Sequence, residues 1–269
     1  MIGLPMLLMA VVFLYPLAEV MWLSVSNPTF GMQNYKYVLG SAAIHNVFLT
    51  TLRICCTTTF LTLIAGYAFA YYLTHTSEVI RRVLFVCVLI PMWVSVLVRA
   101  FAWIVLLRRE GIINSSLMSA GLISSPLPLI WNEVGVVIGM CHFMLPYAIL
   151  PLYSTMRDVD QRLISAARGM GATGLYAFRR VFLPLTMPGM IGAAVLVFIF
   201  SLGFYVTPVI LGGGRVLMIA EYTSVQIMEV LQWGIGTTLA TVLVLAICLL
   251  LFTLGRAAGI RKHLGIAGI

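Results

Sequence analysis

Residues 163–188 read LISAARGMGATGLYAFRRVFLPLTMP, a polar, basic, glycine-punctuated stretch between two apolar segments. Five arginines lie in it or just before it: Arg157, Arg162, Arg168, Arg179 and Arg180. Loops rich in Lys and Arg stay on the cytoplasmic side of a membrane protein. The stretch therefore predicts a cytoplasmic loop, and its small residues and short amphipathic pieces favour a surface that meets another protein.

The rest of the chain is mostly hydrocarbon. Hydrophobic residues make up 62% of the 269, charged residues 9%, and the mean hydropathy is +1.08. A soluble domain carries about 25% charged residues, so the composition predicts an integral membrane protein. The net charge of +8 does not indicate nucleic-acid binding, because the basic residues are spread over short loops between apolar segments.

Six apolar segments are long enough to cross a hydrocarbon core, which needs about 20 residues of helix. They are 4–25, 47–73, 83–107, 134–155, 189–211 and 233–255. The first lacks the basic flank of a signal peptide, so we expect it to be a retained span. We predict one domain over 1–269, an all-α bundle of six transmembrane helices with short interfacial helices in its loops.

The basic residues also orient the spans. The loops after the second and fourth spans, together with the C-terminal tail, hold ten Lys or Arg residues, and the three intervening loops hold four. The positive-inside rule then predicts that both termini and the loop 156–188 are cytoplasmic.

The loop 156–188 contains a motif with long, constrained spacing. It reads Ser165-Ala-Ala, three residues, Gly171, nine residues, Val181, one residue, Leu-Pro. This resembles the loop of binding-protein-dependent ABC importer permeases, which reads Glu-Ala-Ala, three residues, Gly, nine residues, Ile, any residue, Leu-Pro. The residues that match are Ala166, Ala167, Gly171, Leu183 and Pro184.

Shorter segments elsewhere resemble the spermidine/putrescine-type permeases of that family. They are Asn34-Tyr35, Gly66-Tyr67, Leu145-Pro146, 151–154, 184–189 and 204–213. The resemblance implies the type I ABC importer permease fold, with a cytoplasmic coupling helix between the fourth and fifth spans. It covers nearly the whole chain.

The residue types of the loop support the same interpretation. Asp158 and Asp160 are suited to cap a short helix at its positive end. Gly169 and Gly171 are suited to end that helix, where positive φ angles are needed. Thr173 is a plausible N-cap for a second short helix.

Two apolar features of the loop predict contacts. Ala166 and Ala167 are small, so a partner surface can approach their backbone closely. After Thr173, an apolar stripe at helical spacing consists of Leu175, Phe178, Val181 and Phe182. An ordinary interfacial helix turn has the same amphipathic and basic character, and the motif spacing favours the docking interpretation.

The resemblance implies a set of partners. In this family the coupling helix seats in a groove of a cytoplasmic ATPase, and two ATPase copies close together when they bind ATP. We expect a second six-span permease as a heterodimeric partner, an extracytoplasmic solute-binding protein, and membrane lipid around the spans. These partners imply a bacterial inner membrane and transport by alternating access.

Ser165 departs from the family pattern. The glutamate that usually opens the motif makes a charge-assisted contact, and serine cannot make it. We therefore expect a docking contact that is weaker or differently arranged, with Asp160 or a neighbouring arginine contributing.

The sequence argues against catalysis by this chain. Its two lysines, Lys36 and Lys262, do not end a glycine-rich phosphate loop, so we expect ATP to be bound by a separate subunit. We predict no catalytic residue, no cofactor and no metal site. For His142, a hydrogen bond to a neighbouring helix is a better interpretation than metal binding.

Polar residues inside the predicted spans are candidates for function, because charge at the centre of a span is costly. Glu19, Arg53 and Arg99 all lie in the outer halves of their spans. They indicate either a structural Glu19–Arg ion pair with snorkelling, or a lining for the substrate path, for which Arg99 is the better candidate. Phe204 and Tyr205 are suited to stack on a cationic amine, or to pack in the bundle.

The sequence predicts a permease for polyamines or a related small organic solute. The spans hold more arginine than carboxylate, so an amino-acid-like or organic anion substrate stays open. A secondary transporter needs carboxylates in mid-span, and none of the eight acidic residues lies there. A membrane scaffold needs no docking motif.

Overall fold

The computed structural model describes residues 3–263, and the regular elements of that part of the chain are helices. In chain order they are α1 (Gly3–Ser26), α2 (Gln33–Gly40), α3 (Ala42–His75), α4 (Glu78–Trp93), α5 (Val96–Leu107), α6 (Ile112–Ser119), α7 (Glu133–Arg157), α8 (Gln161–Gly169), α9 (Gly174–Ala177), α10 (Leu183–Leu202), α11 (Val206–Gly212), α12 (Ile219–Met228) and α13 (Trp233–His263). A π-helical turn over Phe178–Phe182, called the π turn below, joins α9 to α10.

Five helical stretches are long and apolar enough to cross a membrane, and they become six if a bent helix pair counts as one span. The five are Leu8–Ser26, Ala42–His75, Glu133–Arg157, Gly174–Leu202 and Trp233–Arg256. The all-α membrane fold predicted from the composition is confirmed. The prediction of six spans depends on how the bent pair is counted.

The bent pair corrects the predicted third span, 83–107. Helices α4 and α5 meet at 104° rather than forming one continuous helix. Between them Val94 and Ser95 have extended backbone. Pro91 lies in the last turn of α4, where its missing N–H weakens the helical ladder just before the break.

The predicted fifth span, 189–211, is also interrupted. Helix α10 ends at Leu202 and α11 begins at Val206, so Gly203, Phe204 and Tyr205 form a short break inside an apolar stretch. Irregular backbone at membrane depth is tolerated where protein or a water-filled cavity surrounds it.

The chain contacts group into two compact units. The central unit is Thr50–Leu217, and the split unit combines Met1–Leu49 with Met218–Ile269. The division falls inside α3. The single domain expected from the sequence stays a prediction.

In the central unit, α7 packs closely against α10. A side chain at Gly189 would bring a Cβ atom to 2.3 Å from Thr155 Oγ1, so only glycine permits this approach. The core along these helices contains buried Met144, Leu152, Phe182 and Val197. Its apolar contacts tie the membrane part of the unit to the loop 156–188, because Ile164 of α8 packs against the same core.

In the split unit, polar side chains join α1, α2 and α13. Asn34 Nδ2 donates to Asn27 O at 2.7 Å and to Ser24 O at 3.1 Å. Thr238 Oγ1 lies 2.7 Å from Gly234 O of its own helix and 3.2 Å from Ser24 O, so its one proton is shared between these carbonyls. Such bonds satisfy backbone carbonyls near the C-terminal end of α1, where the helix itself supplies no donor.

Glu221 is the unusual carboxylate of the split unit. It lies in α12, is 7% exposed, and its Oε2 atom has no hydrogen-bond partner. Burial raises the pKa of Glu221 from 4.5 to about 7. The fold therefore favours the protonated carboxyl, and this contribution to stability is present below about pH 4.5 and lost as the pH rises through 7.

We expect Glu221→Gln to flatten the pH dependence of stability. The wild-type protein should lose at most about 3 kcal/mol of unfolding free energy between pH 5 and 8 relative to the variant. Thermal unfolding of the detergent-solubilised protein across this range measures the difference. Glu229→Gln changes an exposed carboxylate one residue beyond α12 and is the matched control. Parallel pH profiles for wild type and Glu221→Gln would contradict the assignment.

Candidate functional site

The loop 156–188 folds as an elbow of two short helices, α8 and α9, followed by the π turn. Asp160 is the N-cap of α8, and its Oδ1 accepts from the backbone N–H of Arg162 at 2.9 Å. Asp158 instead occupies the C-cap position of α7, which corrects the expectation that both carboxylates cap α8. Helix α8 ends at Gly169, and Gly171 has a φ of +91°, as the sequence predicts for a helix stop.

The two alanines of the motif face different ways. Ala166 is exposed, whereas Ala167 is 8% exposed and buried by its own chain. The expectation that both alanines are small to admit a partner is corrected for Ala167, which is buried within this chain. Ala166 and the half-exposed Leu163 remain on the outward surface.

The Ser165 hydroxyl forms a hydrogen bond within its own helix. Its Oγ donates to Gln161 O at 3.1 Å, one turn earlier. Asp160 Oδ1 accepts the N-cap bond of α8. The position of the family's glutamate therefore carries a hydroxyl that bonds within α8.

The second half of the elbow is shaped by Thr173 and Pro184. Thr173 caps α9 by accepting from the N–H of Tyr176 at 3.3 Å, as predicted. In the π turn the N–H of Leu183 bonds to Phe178 O, five residues back rather than four. Pro184 follows at once. Its ring would clash with the carbonyl four residues earlier in a regular α-helix, and the wider turn relieves that clash.

The predicted apolar stripe divides between core and surface. Phe182 is buried, Phe178 and Val181 are partly buried, and Leu175 is exposed. The exposed apolar side chains of the elbow form what we call the elbow surface: Leu163, Met170, Leu175 and Tyr176. Met170 and Tyr176 were absent from the predicted site. Met170 is 84% exposed. A patch of exposed apolar side chains marks a site of protein or membrane interaction.

Arg99, Phe143 and Phe204 lie close together in the membrane part of the central unit. The guanidinium carbon of Arg99 lies 4.3 Å from the ring centroid of Phe143. The Phe143 and Phe204 rings are 4.4 Å apart. Arg99 follows the break between α4 and α5, and Phe204 lies in the break between α10 and α11, so α7 brings both interruptions to one aromatic cluster.

A donor-rich cavity adjoins this cluster. The indole N–H of Trp103 donates to His142 Nδ1 at 3.2 Å, which confirms the predicted interhelical role of His142. A neutral His142 then carries its proton on Nε2. The cavity beside these side chains has a volume of about 10 Å³, close to that of one water. Arg99 Nε has no hydrogen-bond partner.

The remaining predicted charges lie elsewhere. Arg53 forms an ion pair with Glu133 at the start of α7, so its partner is not the Glu19 proposed from the sequence. Glu19 is exposed on α1, in the split unit. Tyr205 is 43% exposed beside Phe204 and precedes α11. Glu19 and Arg53 thus stay outside the Arg99 cluster.

Sequence reasoning missed Phe143 and Glu133. Glu133 follows Asn132, the N-cap residue of α7. Asn132 Oδ1 accepts from Gly135 N at 3.0 Å. This cap pattern was a usable signal in the sequence. Phe143 carried no signal, because its contacts come from residues far away in the chain. Within residues 3–263, no group of three or more His, Cys, Asp or Glu side chains is arranged to hold a metal ion.

The fold and its elbow agree with a comparison to known families. The family model of the binding-protein-dependent transport system inner membrane component matches residues 59–259, more than half of the chain. The chain belongs to this family. It is therefore a multi-pass inner-membrane permease that works with a binding protein, and it is not an enzyme.

Curated relatives and a solved structure agree with this assignment. The permease is 35% identical to the spermidine/putrescine transport system permease protein PotB of Haemophilus influenzae, over 74% of its own length and 70% of the relative. It is 30% identical to PotB of Escherichia coli K12, over 85% and 83%. A chain of a bacterial alginate ABC transporter, solved with an alginate pentasaccharide-bound periplasmic protein, matches it with a TM-score of 0.77 and 16% identity, covering 97% of the permease and 94% of that chain.

The opposite environments of the two motif alanines generate a prediction. Ala167→Leu places a larger side chain at a buried position of α8, and we expect a loss of about 1–3 kcal/mol in stability. Ala166→Leu, one residue earlier on the exposed side, should leave stability within about 0.5 kcal/mol of wild type. Thermal unfolding of the purified protein compares the two. Equal losses would contradict the observed burial of Ala167.

Proposed function

We propose that this permease imports polyamines, or closely related small organic amines, by ATP-driven alternating access. The substrate class is supported by the 30–35% identity to two permeases named for spermidine and putrescine. That identity extends over 74–85% of the chain.

The proposed assembly contains this chain, a second permease as a heterodimeric partner, two cytoplasmic ATPase subunits and an extracytoplasmic solute-binding protein. ATP is bound by the ATPase subunits. Both termini of the permease and its elbow face the cytoplasm, since the basic residues concentrate there. The elbow surface, with exposed Met170 and Leu175, supports docking of an ATPase on that side.

In the proposed cycle, the resting importer faces inward. ATP binding closes the two ATPases and pulls on the elbow. Since Ile164 and Phe182 belong to the core that runs along α7 and α10, movement of the elbow reaches the spans. The importer then faces outward and takes the solute from the binding protein.

Replacement of the missing glutamate tests the docking role. We expect Ser165→Glu to increase retention of the ATPase on the purified permease, because a carboxylate can make the charge-assisted contact that the serine cannot. Ala166→Trp should reduce both retention and ATP-driven putrescine uptake in proteoliposomes by about tenfold or more, because a bulky side chain holds the partner away. Ala43→Trp, at an exposed alanine near the start of α3, is the control.

The alternatives give different results. Unchanged ATPase retention and uptake in both elbow variants would contradict the coupling role. Putrescine uptake by the permease without an ATPase would indicate a secondary transporter, and absence of uptake with a full set of partners would favour a scaffold.

A second candidate function follows from Arg99. The described part of the central unit has no carboxylate within ion-pairing distance of Arg99. The groups around its cavity include Arg99 Nε, which has no hydrogen-bond partner, and His142, whose neutral form carries a proton on Nε2. Donors in this arrangement favour an acidic oxygen, so the same permease role for an amino-acid-like solute or an organic anion is the alternative.

Ornithine and putrescine separate these substrate classes, because ornithine is putrescine with an added carboxylate. If Arg99 binds an acidic group, ornithine should stabilise the solubilised importer against thermal unfolding, and Arg99→Gln should weaken its binding about tenfold. Arg82→Gln, which removes an exposed arginine paired with Glu78, is the control. Stabilisation by putrescine alone, unchanged by Arg99→Gln, would contradict the acidic-group candidate.

A further inference from the structure

The π turn joins the two short helices of the elbow to α10. Helix α8 and the short helix α9 precede it, and Pro184 follows it. π-helical turns are rare, and they are frequently found at functional sites. Any displacement that reaches α10 from the elbow passes along the chain through Phe178–Phe182.

An aromatic side chain of α3 packs against both ends of this turn. The ring of Tyr71 lies edge-on to Phe178 at 5.6 Å and to Phe182 at 5.3 Å, with interplanar angles of 88° and 82°. Phe178 and Phe182 lie 5.7 Å apart with nearly parallel rings. Edge-to-face contacts of this kind have a preferred geometry and add to simple burial.

A hydrogen bond also joins α3 to α10, one turn before Tyr71 on α3. The hydroxyls of Tyr67 and Thr186 are 2.9 Å apart. Thr186 is fully buried, and its Oγ1 donates to Leu183 O at 3.0 Å. Because the Thr186 proton is used there, the Tyr67 hydroxyl donates to Thr186 Oγ1. The Tyr67 ring also lies edge-on to Phe178, with the ring centroids 6.3 Å apart.

We propose that Tyr67 and Tyr71 are positioning residues that tie α3 to the π turn, so that motion of the elbow moves α3 and α10 together. We call Tyr67, Tyr71, Phe178, Phe182 and Thr186 the clamp. The clamp converts movement of the elbow into a coordinated displacement of two spans. Without it the elbow still docks, but part of its motion is lost in the π turn. This inference rests on the ATP-driven import proposed above.

The test measures coupling in the complete importer, reconstituted with its partner permease, ATPases and binding protein. We expect Tyr67→Phe and Thr186→Val each to lower the solute transported per ATP hydrolysed by about fivefold, the factor that one buried hydrogen bond is worth. The double variant should lose no more than either single variant, because both remove the same bond. Tyr71→Leu should lower the ratio further. Co-purification of the ATPase should stay at the wild-type level in all four.

Tyr72 supplies the matched control. It follows Tyr71 on α3 and is 53% exposed, so Tyr72→Phe and Tyr72→Leu should keep the wild-type transport ratio. Equal losses in the Tyr72 variants, an unchanged ratio in Tyr67→Phe, or a parallel loss of ATP hydrolysis would overturn the positioning role.

A second measurement tests the clamp on the permease alone. Amide hydrogen exchange of residues 178–188 should become about fivefold faster in Tyr67→Phe than in wild type or Tyr72→Phe. If the wild-type importer shows no ATP-driven uptake while this exchange effect is present, the proposed function fails and the clamp stands. If exchange is unchanged, the clamp itself is wrong.

Discussion

A membrane supplies no water to satisfy backbone N–H and C=O groups, and this constraint organises the permease. Helical bonding is interrupted inside its apolar stretches at Val94–Ser95, at the π turn, and at Gly203–Tyr205. Each interruption adjoins side chains for which a role is proposed above. Arg99 follows the first, the clamp surrounds the second, and Phe204 lies in the third. The chain departs from regular helix where it has to bend, transmit motion or expose polar groups.

The two halves of the proposed mechanism depend on different interactions. In the elbow and the first turns of α10, close packing dominates: Ala167 is buried in α8, and Gly189 lets α10 approach Thr155. Inside the membrane, electrostatics dominates, since the guanidinium of Arg99 faces an aromatic ring rather than a carboxylate. A cation placed on a π face is stabilised without a counter-ion, and it remains available to interact with a solute of opposite charge.

Much of this could be predicted from the sequence, and the limits have physical causes. Apolar length predicted the long helices, and the residue types at Asp160, Thr173 and Gly171 predicted the caps and the stop of the elbow, because these effects are local. The breaks were not predicted, since a proline such as Pro91 does not reveal whether a span kinks or divides. The Arg53–Glu133 pair and the Arg99–Phe143 contact join residues far apart in sequence. Contacts between residues so far apart leave no periodic pattern in the sequence.

The central claim is that an ATPase acts on this chain through the elbow on the cytoplasmic side. Cysteine labelling tests it most directly, with Met170→Cys in a cysteine-free background of the reconstituted importer. The account predicts that a membrane-impermeant thiol reagent modifies Met170→Cys only from the cytoplasmic face, and that bound ATPase protects it. Labelling from the outer face, or equal labelling with and without the ATPase, would contradict the account.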